Sequence, residues 1–149
     1  MRHQKNIVPR GAPSFPNFFT ERAKAFENRD YEKVVDSLGV PTSVYVLENM
    51  LLLSETRDAI AALAIHRSNL DKIGYASTET NIQKLSWISD LKAEIDTCTK
   101  HFDANRSLIT EANVRYFVMM TPETDSGLTI ELIEMLTANE SLSDGLQLL

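Results

Sequence analysis

The order of the predicted elements restricts the fold of this chain more than any single motif does. A phenylalanine-rich amphipathic helix and a short second helix come first, and a brief hairpin, a third helix and long alternating strands follow. Helices placed before an antiparallel meander are typical of an α+β layout, in which the helices cover one face of a sheet. The sequence therefore predicts N-terminal helices packed on a strongly curved, mostly antiparallel sheet.

Apolar residues at helical spacing predict the first two helices. The first begins around Pro16 and ends near Asn28, and its apolar face carries Phe19, Ala23 and Phe26. Asp30 is the expected N-cap of the second helix. The apolar residues of that helix are Tyr31, Val34, Val35 and Leu38, and its expected stop is at Gly39 and Pro41.

A hairpin and a third helix are predicted next. Residues 44–47 and 50–53 are rich in Val, Tyr and Leu, with Glu48 and Asn49 at the expected turn. Thr56 is the expected cap of the third helix. One stripe of this helix is apolar apart from a single histidine, and it consists of Ala59, Leu63, His66, Leu70 and Ile73.

The remainder of the chain is predicted to be strand. Alternating patterns cover residues 82–88, 92–102, 108–120 and 128–136. In the second of these strands, charged side chains alternate with a mostly apolar or hydroxyl register. That register consists of Ala93, Ile95, Thr97, Thr99 and His101.

Length and composition indicate one domain. A chain of 149 residues with 43% hydrophobic content is sufficient for one core. Pro9, Gly11 and Pro13 disfavour regular structure near the start. We therefore expect an extended N-terminal arm over residues 1–14, a single domain over 15–138 and a C-terminal tail over 139–149.

Charge and cysteine content disfavour several partner classes. A net charge of -6 with scattered Lys and Arg disfavours nucleic acid and anionic membrane as partners. The single cysteine, Cys98, cannot form an internal disulfide, and no signal peptide or membrane-spanning run is evident, so we expect a cytoplasmic protein. The common nucleotide, hydrolase, redox and zinc-protease motifs are absent, and we expect no cofactor.

At this point the chain resembles the nuclear transport factor 2-like (NTF2-like) superfamily, which includes SnoaL-like, ketosteroid isomerase-like and scytalone dehydratase-like proteins. The resemblance covers roughly residues 15–137. It rests on the element order and on the segments FFTERAKAFENRD at 18–30, VYV at 44–46 and VRYFVMM at 114–120. It implies a cone-shaped α+β barrel with a cystatin-like fold, a homodimer through the sheet face, and a functional acid near the first hairpin, where Glu48 lies.

Two histidines are the candidates for catalysis. His66 is predicted to point into the hollow of the cone, where burial would tune its pKa for proton transfer; the alternative is a hydrogen-bonded core residue. His101 shares its face with Thr97 and Thr99, and its alternative is a solvated strand edge. The spacing of the histidines predicts no metal site. The full set of predicted pocket residues is Phe19, Tyr45, His66, Trp87, Thr97, Thr99, His101 and Tyr116.

Three functions remain open from the sequence. The first is a non-catalytic homodimer that binds a small apolar or mixed-polarity molecule in its cone. The second is an isomerase, dehydratase or cyclase, with His66 or His101 as general base and Tyr45 or Tyr116 stabilising an oxyanion. The third is a protein-interaction module without a small ligand. The resemblance implies that members with isomerase or dehydratase activity use pocket carboxylates or histidines together with tyrosine hydroxyls, and this chain shows no convincing Tyr and Asp pair. The sequence leaves open whether the protein is an enzyme, and this departure favours binding.

Overall fold

The computed structural model describes residues 14–46 and 49–136. Three helices and six strands follow one another along these residues. The helices are α1 (Phe15–Glu27), α2 (Tyr31–Val35) and α3 (Thr56–Asp71). The strands are β1 (Leu38–Val46), β2 (Asn49–Leu53), β3 (Tyr75–Trp87), β4 (Lys92–Asp103), β5 (Leu108–Met120) and β6 (Leu128–Met135).

All six strands form one sheet in the order β2-β1-β6-β5-β4-β3. Every neighbouring pair is antiparallel except β1 and β6, which run parallel. The first strand thus pairs with the last, and the β2–β1 hairpin joins the meander formed by β3 to β6. The predicted fold class is confirmed: α+β, with N-terminal helices on a curved, mostly antiparallel sheet.

Helix α1 forms as its sequence predicts and covers the inner face of the sheet. The Ser14 hydroxyl accepts a hydrogen bond from the Asn17 N–H at 3.3 Å, and proline is tolerated in the first turn. Rings on its buried face pack on the strands: Phe15 lies 5.7 Å from Trp87 and Phe19 lies 5.1 Å from Tyr116, between ring centroids. These contacts place α1 along the inside of the cone.

The second helix is shorter than predicted. It ends at Val35, and Leu38 already belongs to β1, where it is paired with Ile130. Gly39 does not cap a helix; a Cβ at this position would lie 2.5 Å from a side-chain carbon of Thr129. The close approach of two strands, rather than a helix stop, explains the glycine.

Strand β3 starts seven residues earlier than predicted, at Tyr75. The early part of the strand, YASTETN, is polar and lacks the apolar alternation that marks half-buried strands. It is a strand because its backbone pairs with β4 over almost its whole length. Thr56 also differs from prediction: it is the first residue of α3, and the N-cap is Glu55, whose side chain makes no capping hydrogen bond among the described residues.

Helix α3 packs its predicted stripe against the cone. Ala59, Leu63, His66 and Leu70 are buried, whereas Ile73 lies beyond the helix and is exposed. The buried Arg67 ties α3 to the end of α1: its Nη1 donates to the carbonyl oxygens of Phe26 at 2.6 Å and Glu27 at 2.8 Å. The Arg67 Nε donates to Asp71 at 2.9 Å.

The opposite face of the sheet, here called the outer face, carries charged and apolar side chains. Asp96, Arg115, Glu134 and Tyr45 are aligned across β4, β5, β6 and β1, and Arg115 pairs with Asp96 at 2.7 Å. The adjacent row consists of Glu94, Phe117, Leu132, Ser43 and Leu52. The outer face is therefore only partly polar.

Candidate functional site

A small recess lies between α1, α3 and the inner face of strands β3 to β5. Its volume is about 40 Å³, and it is partly open to the surface. This inner recess is lined by Phe19, Arg22, Ala23, Phe26, Val34, His66, Thr78, Thr80, Thr99, His101 and Tyr116. It combines an aromatic wall from α1 with threonine and histidine side chains from the sheet and α3.

His66 enters the inner recess from the buried stripe of α3. Its side chain is 2% exposed, and its Nε2 atom has no hydrogen-bond partner among the described residues. Its ring centroid lies 5.4 Å from Phe26 and 5.5 Å from His101. Burial, with a smaller contribution from His101, lowers the pKa of His66 to about 3. The imidazole is therefore neutral at pH 7.

His101 enters the same recess from β4, and a hydrogen-bond chain orients its ring. The Thr78 hydroxyl bonds to His101 Nδ1 at 2.9 Å and also to the Tyr75 hydroxyl. Burial, followed by the charge of Arg67, lowers the pKa of His101 to about 4. The alternative of a solvated strand edge does not apply, because this side chain is buried.

Arg67 and Tyr75 lie close to His101. The Arg67 guanidinium carbon lies 4.4 Å from the Tyr75 ring centroid, and Tyr75 in turn lies 5.6 Å from His101. Burial raises the pKa of the Tyr75 hydroxyl to about 12, so it stays protonated. The chain from Tyr75 through Thr78 to His101 is therefore a neutral hydrogen-bonded unit beside a fixed positive charge.

The structure brings together five of the eight predicted pocket residues. Phe19, His66, Thr99, His101 and Tyr116 all line the inner recess. Thr99 and His101 lie on the same face of β4, and His66 lies on the buried stripe of α3. These placements bring the three side chains to the recess. Their chemical roles remain predictions.

The other three predicted pocket residues lie elsewhere. Tyr45 is 39% exposed and is aligned with Glu134 on the outer face, because the first strand turns its neighbour Val44 inward. Trp87 packs on Phe15 at the far end of β3. Thr97 is fully buried, and its hydroxyl donates to the Val114 carbonyl oxygen at 3.1 Å.

Several residues of the recess region were not predicted from the sequence. Thr78 and Thr80 lie on the inner face of β3, and Thr80 bonds to Thr99 between hydroxyl oxygens at 3.2 Å. Threonines spaced by two in a β-prone segment were the available signal. Arg22 was missed because a cation on the buried face of a helix is exceptional.

Among the described residues, no carboxylate lines the recess. Glu48 lies outside the described residues, as do residues 1–13 of the predicted arm and the whole of the predicted tail over 139–149. Glu131 and Glu134 pair with Lys92 at 3.4 Å and with Arg115 at 3.5 Å, respectively. Within residues 14–46 and 49–136, no group of three or more His, Cys, Asp or Glu side chains is placed to hold a metal ion.

The size of the inner recess limits what it can hold. Sites for drug-sized molecules usually have volumes of roughly 300–1,000 Å³. At about 40 Å³, the recess accommodates a water molecule or the polar end of a larger molecule. The interior of the cone is therefore neither completely filled by side chains nor large enough for a whole drug-sized molecule.

Among the helices of the described residues, none is both long and apolar enough to cross a membrane.

The helix-covered curved sheet and the recess beneath α1 define a cone-shaped α+β protein. Residues 14–129 match the family model described as NTF2-like protein (DUF6841). The chain belongs to this family, and the expected membership of the NTF2-like superfamily is confirmed. No curated protein matches the chain.

Solved structures with the same fold are distant in sequence. A domain of unknown function with a cystatin-like fold from Nostoc punctiforme is 14% identical at a TM-score of 0.61, covering 83% of this chain and 75% of that one. An NTF2-like protein of unknown function from Shewanella oneidensis is 9% identical at a TM-score of 0.62, covering 80% and 93%. A putative scytalone dehydratase from Novosphingobium aromaticivorans is 11% identical at a TM-score of 0.53, covering 83% and 80%. These likenesses show the fold alone.

Proposed function

We propose that this NTF2-like protein binds a small molecule of mixed polarity, with a hydroxyl group of the ligand inserted into the inner recess. The observation that carries the proposal is the buried Nε2 atom of His66, which has no partner among the described residues. Buried polar atoms in native proteins nearly always have a hydrogen-bond partner. A ligand hydroxyl both donates and accepts, so it satisfies either tautomer of a neutral imidazole.

The surroundings of His66 support a ligand with an apolar body. Phe19, Phe26 and Tyr116 provide aromatic contact in the recess, and Thr80, Thr99 and His101 provide hydroxyl and imidazole groups. Because the recess is partly open, only the polar end of such a ligand needs to fit inside. Its body then lies at the mouth against the aromatic side chains.

The test is a titration of the protein with phenol, using toluene as the matched compound without a hydroxyl. The imidazole ¹⁵N resonances of His66 and His101 are the readout. We expect phenol to shift both sets of resonances and toluene to bind at least about 5-fold more weakly, since one hydrogen bond contributes about 1 kcal/mol. Equal affinity for the two compounds, or unchanged resonances with phenol, contradicts the proposal.

Catalysis is the second candidate, favoured by the hydrogen-bond chain from Tyr75 through Thr78 to His101. Such a chain would orient His101 as a general base for an isomerase, dehydratase or cyclase. A base with a pKa of about 4 is far from matched to neutral pH, however. Binding therefore stands ahead of catalysis in our proposal.

We further propose that two copies associate through the outer face. Leu52, Phe117 and Leu132 are aligned across three strands of this face, and Tyr45 and Met50 lie in the adjacent row. Apolar side chains grouped on an exposed sheet face mark an interaction surface. A self-complementary contact between identical faces is the commonest form of assembly, whereas a different protein partner on this face corresponds to the interaction-module alternative.

A further inference from the structure

A second and larger cavity also borders α1, and Arg22 lines both this cavity and the inner recess. This outer groove has a volume of about 600 Å³ and runs between α1, the α2 segment and the turn between β5 and β6. Its lining includes Glu21, Glu32, Asp36, Ser37 and Asp125. The volume lies in the range of ordinary small-molecule sites.

Negative charge predominates in the outer groove. Five carboxylates line it, the four acids named above and Asp30, against two cations, Arg22 and Lys33. The Lys33 ammonium is paired with Glu21 at 3.3 Å. The Arg22 guanidinium carbon lies 5.6 Å from the Tyr116 ring centroid and 5.9 Å from the Phe18 ring centroid, and Arg22 lines both the groove and the inner recess. The groove therefore attracts cations.

A buried hydroxyl in the groove is a second and independent indication of a ligand. Ser37 is 3% exposed, and its Oγ atom has no hydrogen-bond partner among the described residues. Its carbonyl oxygen is engaged, accepting from the Ile130 N–H at 2.6 Å. An unpaired buried hydroxyl costs free energy that a bound donor would recover.

We infer that the outer groove is a binding site for a small organic polyamine. Ammonium groups of such a molecule pair with Glu32, Asp36 and Asp125, and one N–H donates to the Ser37 hydroxyl. The methylene segments between the ammonium groups lie against Phe18, which also lines the groove. The inference concerns a different cavity from the proposed hydroxyl site at His66, and either stands without the other.

The test is calorimetric titration of the full chain with spermidine at low ionic strength. We expect binding that weakens in 0.5 M NaCl, because salt screens exposed charges. Asp36→Asn and Glu32→Gln are each expected to weaken spermidine binding by about 2- to 5-fold, from the usual strength of exposed ion pairs. The matched control is Asp90→Asn, which removes an exposed carboxylate outside the groove and should leave affinity unchanged.

Ser37→Ala tests the hydroxyl separately. It is expected to weaken spermidine binding by about 3- to 10-fold, the equivalent of one hydrogen bond, without lowering the urea midpoint of the free protein. Absence of spermidine binding at millimolar concentration overturns the inference. Equal losses with Asp90→Asn and Asp36→Asn, or binding of citrate in place of spermidine, overturns it as well. Phenol shifts of the His66 resonances are unaffected by either result.

Discussion

At the scale of single residues, His66 and His101 are two imidazoles that burial keeps neutral side by side. Their ring centroids are 5.5 Å apart, and each has a lowered pKa. The sequence predicted that His66 faces inward, because this residue lies on an otherwise apolar stripe of its helix. It did not predict the unpaired Nε2 atom or the Thr78 bond to His101, because both depend on which strands pass opposite each other.

The two histidines should make the protein sensitive to mild acid. Each has a pKa near 6.5 when unfolded and a lower one when folded, so stability is complete above pH 6.5 and is lost as the pH falls toward the folded values. Between pH 6 and 5, each histidine should lower the free energy of unfolding by about 1 kcal/mol per pH unit. Urea unfolding of the wild-type protein and of His66→Leu measures this slope, which should be about half as steep in the variant. A slope that is the same in both proteins would show that His66 does not contribute.

Thr78→Val is expected to destabilise the protein by about 1–3 kcal/mol, since it leaves the Tyr75 hydroxyl and His101 Nδ1 without their shared partner. Thr80→Val is the matched control. Among the described residues, the Thr80 hydroxyl bonds to the Thr99 hydroxyl alone, at 3.2 Å, so its loss should cost about 1 kcal/mol or less. The free energy of unfolding of the two variants in urea is the measurement, and equal losses would mean that the Tyr75–Thr78–His101 chain is no stronger than an ordinary threonine pair.

At the scale of elements, Arg67 joins the first and third helices. It supplies donors to two carbonyl oxygens at the end of α1 and packs on the rings of Phe26 and Tyr75. The helices themselves were predictable from the spacing of Phe19, Ala23 and Phe26. The contact that Arg67 makes with α1 was not predictable, because an arginine next to an apolar stripe in the sequence is ordinarily expected to be exposed to solvent.

Arg67→Met should lower the free energy of unfolding by about 3 kcal/mol, because it leaves the two carbonyl oxygens without their charged donor and removes one of the two cations that pair with Asp71. Arg29→Met provides the control, since Arg29 also pairs with Asp71 at 2.9 Å but is exposed. Its loss should cost less than about 1 kcal/mol. Thermal and urea unfolding report both changes, and comparable losses for the two variants would contradict a structural joint at Arg67.

Two predicted element boundaries were wrong, because backbone pairing outweighed the side-chain pattern there. The Val35 end of α2 and the Tyr75 start of β3 both lie in segments whose apolar pattern points elsewhere. In the first case, Leu38 belongs to a strand of the sheet because it pairs with Ile130, more than ninety positions away in the sequence. Pairing at such separation leaves no local signal, so a single sequence cannot reveal it.

At the scale of the whole molecule, the sequence predicted the architecture because it depends on element order alone. Three helices that precede an antiparallel meander are compatible with few arrangements, and the packing of helices on one face of a curved sheet is one of them. The volume of the recess was not predictable. It depends on how closely the side chains of α1 approach the threonines of β3 and β4, a matter of tenths of an ångström along the whole helix.

The proposed dimer gives a prediction at this scale. We expect the protein to sediment as a dimer at micromolar concentration and Leu52→Glu to raise the monomer–dimer dissociation constant at least about 10-fold, because a charge would be buried at the interface. Ile65→Glu is the control: Ile65 is 53% exposed against 51% for Leu52, but it lies on α3, away from the outer face. Analytical ultracentrifugation measures both. A monomeric wild-type protein, or equal dissociation by both variants, would contradict the assignment of the outer face.

The parallel pairing of β1 with β6 also has a consequence for biosynthesis. While the ribosome is still translating the middle of the chain, the β2–β1 hairpin has no neighbour, and the meander from β3 to β5 has an unfilled edge. Among the described strands, β6 alone pairs with both pieces, so the joining of the two pieces into one sheet waits for β6 to emerge. Nascent chains arrested before residue 128 should therefore expose two unprotected strand edges, and chaperones that recognise such edges have their longest opportunity in that interval.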